Sequence, residues 1–351
     1  MSKSVIIGRF QTFHAGHAKL LHEAVKFSNE IYVVIGSANA YPNIDNPFNA
    51  IKRINLINKY IYNNFSYTDR VKFHIVCVSD YRYNDERWKT EVRTAVKETE
   101  SDSITMVGFD KDPDSYWLKE FGWKVHEVEP AVDVNGKPIS ATNYRDILFT
   151  VDPANMRSVV DEALDLPKET GDTYVNFVTS TEYVRLREEY EYYKKEKAKF
   201  KDYPYKGSMH FCTGDAVVVC NNHVLVIERK FAPGKGAWAL PGGHKDENET
   251  FKACAIRELM EEVKIKVPEK VIRGSVKNSR LFDHPNRCAV FNKPTVAQYI
   301  VLDPDADGSL PKVKGDSDAN KAFWVPMHIV RQNANRFFDD HYEIIAHFTG
   351  I

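Results

Sequence analysis

In the first half of the chain, short apolar runs rich in β-branched residues alternate with stretches of helical periodicity. Runs at 5–7, 31–36, 71–78, 104–108 and 124–128 have the length of strands, and the most continuous suit strands buried on both faces. Between them, apolar positions recur at helical spacing over 17–27, 50–62, 86–97 and 115–121. This order predicts an α/β fold with a doubly wound parallel sheet, whose ligands lie at the carboxyl ends of the strands. Past residue 150 the pattern weakens, punctuated by Pro153, Pro167 and Gly171, with a helix expected over 154–164. A strongly helical stretch over 181–200, dense in Glu, Lys and Tyr, reads as a connecting helix that packs Tyr183, Leu186, Tyr190 and Tyr193 on a neighbour. Beyond it, strands at 216–220 and 224–227 flank a turn at Asn221-Asn222-His223, further strands are expected at 295–302 and 322–326, and a helix closes the chain over 339–348. The expectation is an N-terminal domain over 1–170, a connecting segment over 171–205 and an α+β domain over 206–351.

Composition narrows the function. At 351 residues, 43% hydrophobic and 28% charged, each half can bury a core. A formal net charge of −1 gives no general electrostatic attraction to nucleic acid or to an anionic membrane, so an anionic ligand must be held by local groups. Cys77, Cys212, Cys220, Cys254 and Cys288 form no C-x-x-C pair and are odd in number, which favours reduced thiols. With neither a signal peptide nor a spanning apolar run, a cytoplasmic protein is expected. Oligomeric state, including a homo-oligomer, is left open.

Two places carry candidate chemistry. After the first strand, Gly8-Arg9-Phe10-Gln11-Thr12-Phe13-His14-Ala15-Gly16-His17 turns into a helix. Backbone N–H groups at such a turn suit phosphate, Gly16 would let the chain approach a ligand, and His14 and His17 share a helical face as donors. In the second half, Gly242-Gly243, Glu249 and Arg257-Glu258-Leu259-Met260-Glu261-Glu262 follow the spacing G-x5-E-x7-R-E-U-x-E-E, where U is a bulky apolar residue. Glu258, Glu261 and Glu262 fall in one arc of a helix beside the apolar stripe Phe251, Ala255, Leu259 and Val263. Like charges so placed repel, and Mg²⁺ or Mn²⁺ prefers such oxygen ligands.

The first motif, together with Ile139-Ser140-Ala141-Thr142-Asn143-Tyr144-Arg145, resembles the H-x-G-H and I-S-x-T-x-x-R signatures of the nucleotidyltransferases, most of all nicotinamide mononucleotide adenylyltransferases of the archaeal type. The resemblance implies transfer of an adenylyl group from ATP to nicotinamide mononucleotide. His14, His17 and Arg145 would meet the ATP phosphates, with Arg9 and Arg53 on further oxygens. Gly8, Phe10, Gly16 and Thr142 belong to the matched motifs, and Asp80 lies at a strand end. Asn84 and Trp88 would hold the nicotinamide, and the turn bearing Gly108 and Asp110 would face the dinucleotide. Trp88 also fits a core position, and Arg53 a solvated helix face.

The second motif resembles the Nudix box, which implies divalent-metal hydrolysis of a nucleoside diphosphate derivative. Glu258, Glu261 and Glu262 would be the metal ligands, with Glu261 and Glu262 also catalytic. The base could lie in the box or on a later loop, where Asp316 and Asp318 are candidates. Joined in one chain, the two modules resemble bifunctional proteins whose second substrate is ADP-ribose, and Arg287 falls in a segment like theirs. Other diphosphates such as NADH, or a sensing role for the second half, stay open. Lys264 replaces the glycine of the box, so a different helix end is expected there, and Cys288-Ala289-Val290-Phe291 departs from the expected continuation.

Overall fold

Val5 and Ile6 of the first strand are both fully buried, each in a different core cluster, because successive side chains of a strand point to opposite faces. The structure is a computed structural model that describes residues 2–109, 118–133, 136–163, 166–203, 210–289 and 291–351. It divides into two units, Met1–Arg187 and Glu188–Ile351.

The first unit runs β1 (Ser2–Gly8), α1 (Ala15–Val25), β2 (Glu30–Ile35), α2 (Ala50–Asn64), α3 (Tyr67–Arg70), β3 (Phe73–Cys77), α4 (Asp85–Ala95), β4 (Ser103–Gly108), β5 (Lys124–Glu127), α5 (Ala141–Thr150), α6 (Met156–Glu162) and α7 (Lys168–Phe177). Its strands form a parallel sheet in the order β3-β2-β1-β4-β5, as the alternating pattern predicts. One face packs Ile6, Val33 and Ile35 against Leu21 of α1 and Ile57 and Tyr60 of α2. The other packs Val5, Tyr32 and Val34 with Val92 of α4. The expected helix over 115–121 lies mostly outside the described residues.

Helix α8 (Thr181–Lys199) crosses the division between the units. The second unit continues with β6 (Thr213–Cys220), β7 (His223–Arg229), β8 (Trp238–Ala239), β9 (Gly242–His244), α9 (Phe251–Val263), α10 (Glu269–Gly274), β10 (Val276–Phe282), β11 (Thr295–Leu302), β12 (Ala319–Pro326), α11 (Met327–Gln332) and α12 (His341–Thr349). The sheet is mixed, in the order β10-β11-β6-β7-β12, with β8 paired to β7 and β9 to β6. Ala255, Leu259 and Val263 of α9 bury the expected stripe against Ala216, Val218 and Ile300. Among the described residues, no helix is long and apolar enough to cross a membrane.

Candidate active sites

At the end of β1 the chain turns through Phe10, which has a left-handed φ of 52° and a buried ring. A side chain at Gly8 would press on that ring, since a Cβ there would lie 3.3 Å from it. His14 then caps α1: its Nδ1 accepts from the Gly16 N–H at 3.1 Å, and its own N–H donates to His17 Nδ1 at 3.3 Å. Gly16 also has an internal requirement, for a Cβ would sit 2.9 Å from His14 Cε1. Burial, followed by the neighbouring His14, holds the His17 pKa well below its ordinary value.

Elements far along the chain brace this turn. Thr170 of α7 donates to the Phe13 carbonyl at 2.8 Å, and the Tyr174 and Thr12 hydroxyls are hydrogen-bonded to one another. Gln11 exchanges two hydrogen bonds with the Phe48 backbone. Arg145, on α5 and 8% exposed, donates to the Gln11 carbonyl at 2.6 Å and to Thr142 Oγ1 at 3.2 Å, with Asp45 3.9 Å away. Its pKa is lowered by burial and then by the charge of Arg9, whose side chain is exposed. His14, His17 and Arg145 thus converge on one short stretch of backbone, between Gln11 and His17, beside the cation of Arg9.

Other expected ligand residues also make contacts within the fold. Arg53 is 1% exposed and donates to the carbonyls of Arg9 (2.8 Å), Gly36 (2.7 Å) and Ser37 (3.0 Å). It straps the ends of β1 and β2 together, and this buried setting corrects the solvated-face reading. Burial pushes its pKa down to about 10. Asp80 Oδ1 accepts from the Ser37 N–H at 3.1 Å, joining the loops after β2 and β3. Asn84 caps α4 through Oδ1, which accepts from the Arg87 N–H at 3.0 Å. Trp88 is half-buried, 5.4 Å from the Phe121 ring, in the core position it also fits. Gly108 makes room for Leu118, whose Cδ2 would lie 2.4 Å from a Cβ. Asp110 lies outside the described residues.

In the second unit the double glycine has a steric cause. β9 runs antiparallel to β6, and a Cβ at Gly242 would meet Asp215 Oδ1 at 2.0 Å, while one at Gly243 would meet Glu258 Oε1 at 2.4 Å. Two bare Cα atoms therefore let the strand lie directly on the acidic residues. Thr250 caps α9, and Arg257 organises its outer face by binding Glu249 (2.8 Å), Glu258 (2.9 Å) and Glu261 (3.2 Å). Arg257 holds the Glu249 carboxyl down at about 2. Glu262 is 6% exposed and accepts from the Gly242 N–H at 3.0 Å. Burial pushes its carboxyl up to about 8, and burial raises Glu258 as well.

The three glutamates are not gathered round one point as the helical arc suggests. Among the described residues no group of three His, Cys, Asp or Glu side chains is set to hold a metal ion, because Glu258 and Glu261 turn toward Arg257 and Glu262 toward Gly242. The donor chemistry nonetheless fits a divalent cation, since carboxylates are hard oxygen donors and burial of Glu258 and Glu262 is a cost that such an ion would compensate.

Helix α9 ends at Lys264 in the left-handed conformation (φ 47°, ψ 42°) that the missing glycine would supply. The end is kept rather than altered, at a cost of about 1 to 2 kcal/mol. Lys264 pairs with Asp316 at 3.2 Å, and Asp318 is the base candidate that lines the cavity beside Glu262. That cavity, about 250 Å³, is also lined by Asp215, Arg229, Arg287 and His341. Arg287, on the cavity wall, is held by Asp340 through bonds of 2.9 and 3.0 Å and by the Lys293 carbonyl. His341 Nδ1 accepts from the Leu240 N–H at 2.8 Å, which leaves the proton on Nε2. Sequence reasoning missed Asp215, Arg229 and His341; a lone carboxylate inside the apolar strand β6 was the available signal for the first.

Residues 5–147 match the cytidylyltransferase-like family and residues 210–348 the NUDIX domain. The nicotinamide/nicotinic acid mononucleotide adenylyltransferase of Acinetobacter baylyi is 36% identical over 149 residues, 41% of this chain and 74% of that one. The nicotinamide-nucleotide adenylyltransferase of Ignicoccus hospitalis is 28% identical over 169 residues, 48% of this chain and 92% of that one. A crystal structure of a bifunctional NMN adenylyltransferase/ADP ribose pyrophosphatase from Francisella tularensis superposes with a TM-score of 0.87 at 28% identity, covering 99% of this chain and 98% of that one. A second crystal structure of a protein of that description and organism, complexed with AMP and a manganese ion, gives 0.86 at 27%, covering 99% and 98%. The chain therefore belongs to the nicotinamide mononucleotide adenylyltransferases through its first half, and carries a NUDIX domain as its second.

Proposed function

We propose that the chain is a two-site enzyme of NAD metabolism. The first unit joins ATP and nicotinamide mononucleotide to give NAD and pyrophosphate, and the second hydrolyses ADP-ribose to AMP and ribose 5-phosphate. The observation that carries this reading is the likeness, over nearly the full length of both chains, to a protein described as having both activities.

In the first reaction the 5′-phosphate oxygen of nicotinamide mononucleotide attacks the α-phosphorus of ATP in line, and the bond to the pyrophosphate oxygen breaks. Little covalent help is needed, so the protein's work is alignment and neutralisation. His14 and His17, each accepting at Nδ1, present Nε2–H as a donor toward phosphate oxygens. Arg145 and Arg9 add the positive charge.

In the second reaction water attacks one phosphorus of the diphosphate and the bridging bond breaks. Glu258, Glu261 and Glu262 would hold the divalent cation, which neutralises the diphosphate and acidifies water. Magnesium or manganese would serve as that ion. Arg257 holds Glu258 and Glu261 on one side of α9, and Gly242 orients Glu262. Substrates of this kind suit a cytoplasmic location. Purified protein assayed with ATP plus nicotinamide mononucleotide, and separately with ADP-ribose, NADH and related diphosphates, tests the assignment. NAD formation and a preference for ADP-ribose are expected, and the absence of either reaction refutes its half.

A further inference from the structure

Tyr174 lies on α7, beyond the residues 5–147 that match the cytidylyltransferase-like family, and its side chain is fully buried. Its ring stands 6.0 Å from that of Phe48, which Phe177, a turn further along α7, also meets at 4.9 Å. Phenylalanine therefore satisfies this packing. The hydroxyl of Tyr174 needs another reason, because a buried hydroxyl is costly unless it is hydrogen-bonded.

That hydroxyl has two partners. It donates to the Tyr144 carbonyl at 3.1 Å, and since a carbonyl only accepts, the single phenolic proton is committed there. Thr12 must then donate to Tyr174, and Thr12 is as fully buried as its partner. Tyr144 immediately precedes Arg145 on α5, and Thr12 immediately follows Gln11, whose carbonyl takes the 2.6 Å bond from Arg145 Nη1. The contacts close on themselves, running from the Gln11 carbonyl through Arg145 to Tyr144, through Tyr174 to Thr12, and back to Gln11 by one peptide bond. The Arg145 guanidinium is thus fixed both at its own fork and through the backbone that carries it. His14 and His17 follow Phe13, whose carbonyl has a separate support in Thr170.

We infer that Tyr174 is a positioning residue for adenylyl transfer, setting α5 against the turn before His14 so that Arg145 meets the ATP phosphates in one orientation. The inference rests on the transferase assignment made above and adds to it a residue from a helix outside the matched motifs. Tyr174 acts through Arg145, and misplacing such a group by about 1 Å costs on the order of 100-fold in rate.

The test uses the full chain with Tyr174→Phe, which keeps the ring and removes its hydroxyl, and with Thr12→Val, which keeps the shape and removes the other hydroxyl. In steady-state NAD formation both variants are expected to lower kcat/KM for ATP at least tenfold and to raise KM for ATP at least fivefold, while KM for nicotinamide mononucleotide stays within twofold of wild type. A loss of packing alone would not tell the two substrates apart. Added to Arg145→Lys, Tyr174→Phe should cost less than a further twofold, because the fork it positions is already gone. A KM for ATP within twofold of wild type, equal rises for both substrates, or losses that multiply with those of Arg145→Lys overturn the inference. If denaturant melts show that Tyr174→Phe does not fold, Thr12→Val decides by the same criteria. If the wild-type chain makes no NAD, the transferase assignment itself falls. The positioning is then judged by ATP titration with magnesium, where Tyr174→Phe must weaken binding at least fivefold, and equal affinity overturns it.

Discussion

The rings of His14 and His17 lie 4.0 Å apart, and the backbone N–H of His14 donates to His17 Nδ1 while that of Gly16 donates to His14 Nδ1. The spacing of the motif is thus a device for fixing tautomers, since the backbone occupies one nitrogen of each ring and assigns the proton to the other. Replacing His17 by Ala removes one oriented donor and opens the capping box. NAD formation by the His17→Ala protein is expected to fall about 100- to 1,000-fold in kcat, measured in a coupled assay, with ADP-ribose hydrolysis unchanged.

Burial keeps His17 neutral, and this sets a direction for stability against pH. Its folded pKa lies well below the unfolded value of 6.5, so below that pH the unfolded chain binds the extra proton. The contribution is fully present above pH 6.5 and is lost as pH falls toward the depressed folded value. Denaturant melts of the wild type between pH 5 and 8 should show the first unit weakening on the acid side, and His17→Gln should flatten that slope.

Arg53 and Arg145 separate stability from activity. Arg53→Met would leave three carbonyls at the ends of β1 and β2 without their donor, and the first unit should lose about 3 kcal/mol or more. Arg145→Lys keeps charge but loses the planar fork. It should cost about 1 kcal/mol in unfolding experiments yet lower adenylyl transfer about 100-fold.

Glu262→Gln removes an acidic group that a cation would need while sparing the shape of α9. Hydrolysis should fall about 100-fold or more, adenylyl transfer should persist, and the rise in melting temperature that magnesium gives the wild-type second unit should shrink. Equal loss of both reactions would argue against independent sites.

Arg287 and Asp340 form a buried pair, with Asp340 fully buried and Arg287 6% exposed. Removing one partner leaves a buried charge, so Asp340→Ala should destabilise the second unit by about 3 to 5 kcal/mol. The double change to apolar residues of similar volume should cost less, as a double-mutant cycle would measure.

Much of the architecture was legible because the core strands of both units write their burial into uninterrupted β-branched runs. Val217-Val218-Val219 and Ile31 to Ile35 are strands where expected. Helix α7 escaped because its buried positions include Glu169, Thr170 and Gly171, which carry no apolar stripe. Strand β10 escaped because Lys277, Asn278 and Ser279 are exposed in a row at the edge of the sheet. At the sites, local spacing revealed groups on one helix, such as His14 with His17 and Glu258 with Glu262. It could not reveal partners from distant strands and helices, which is how Arg53, Arg287 and His341 acquired their settings.

The hydroxyls of Thr170 and Tyr174 reach back across more than half of the first unit to clasp the residues just before His14. An excised synthetase must therefore carry its polypeptide past α7. Scissors placed after α5 would keep every histidine and arginine named for the transfer step while discarding the clasp, yielding a fragment with all its chemistry and a slack grip on nucleotide.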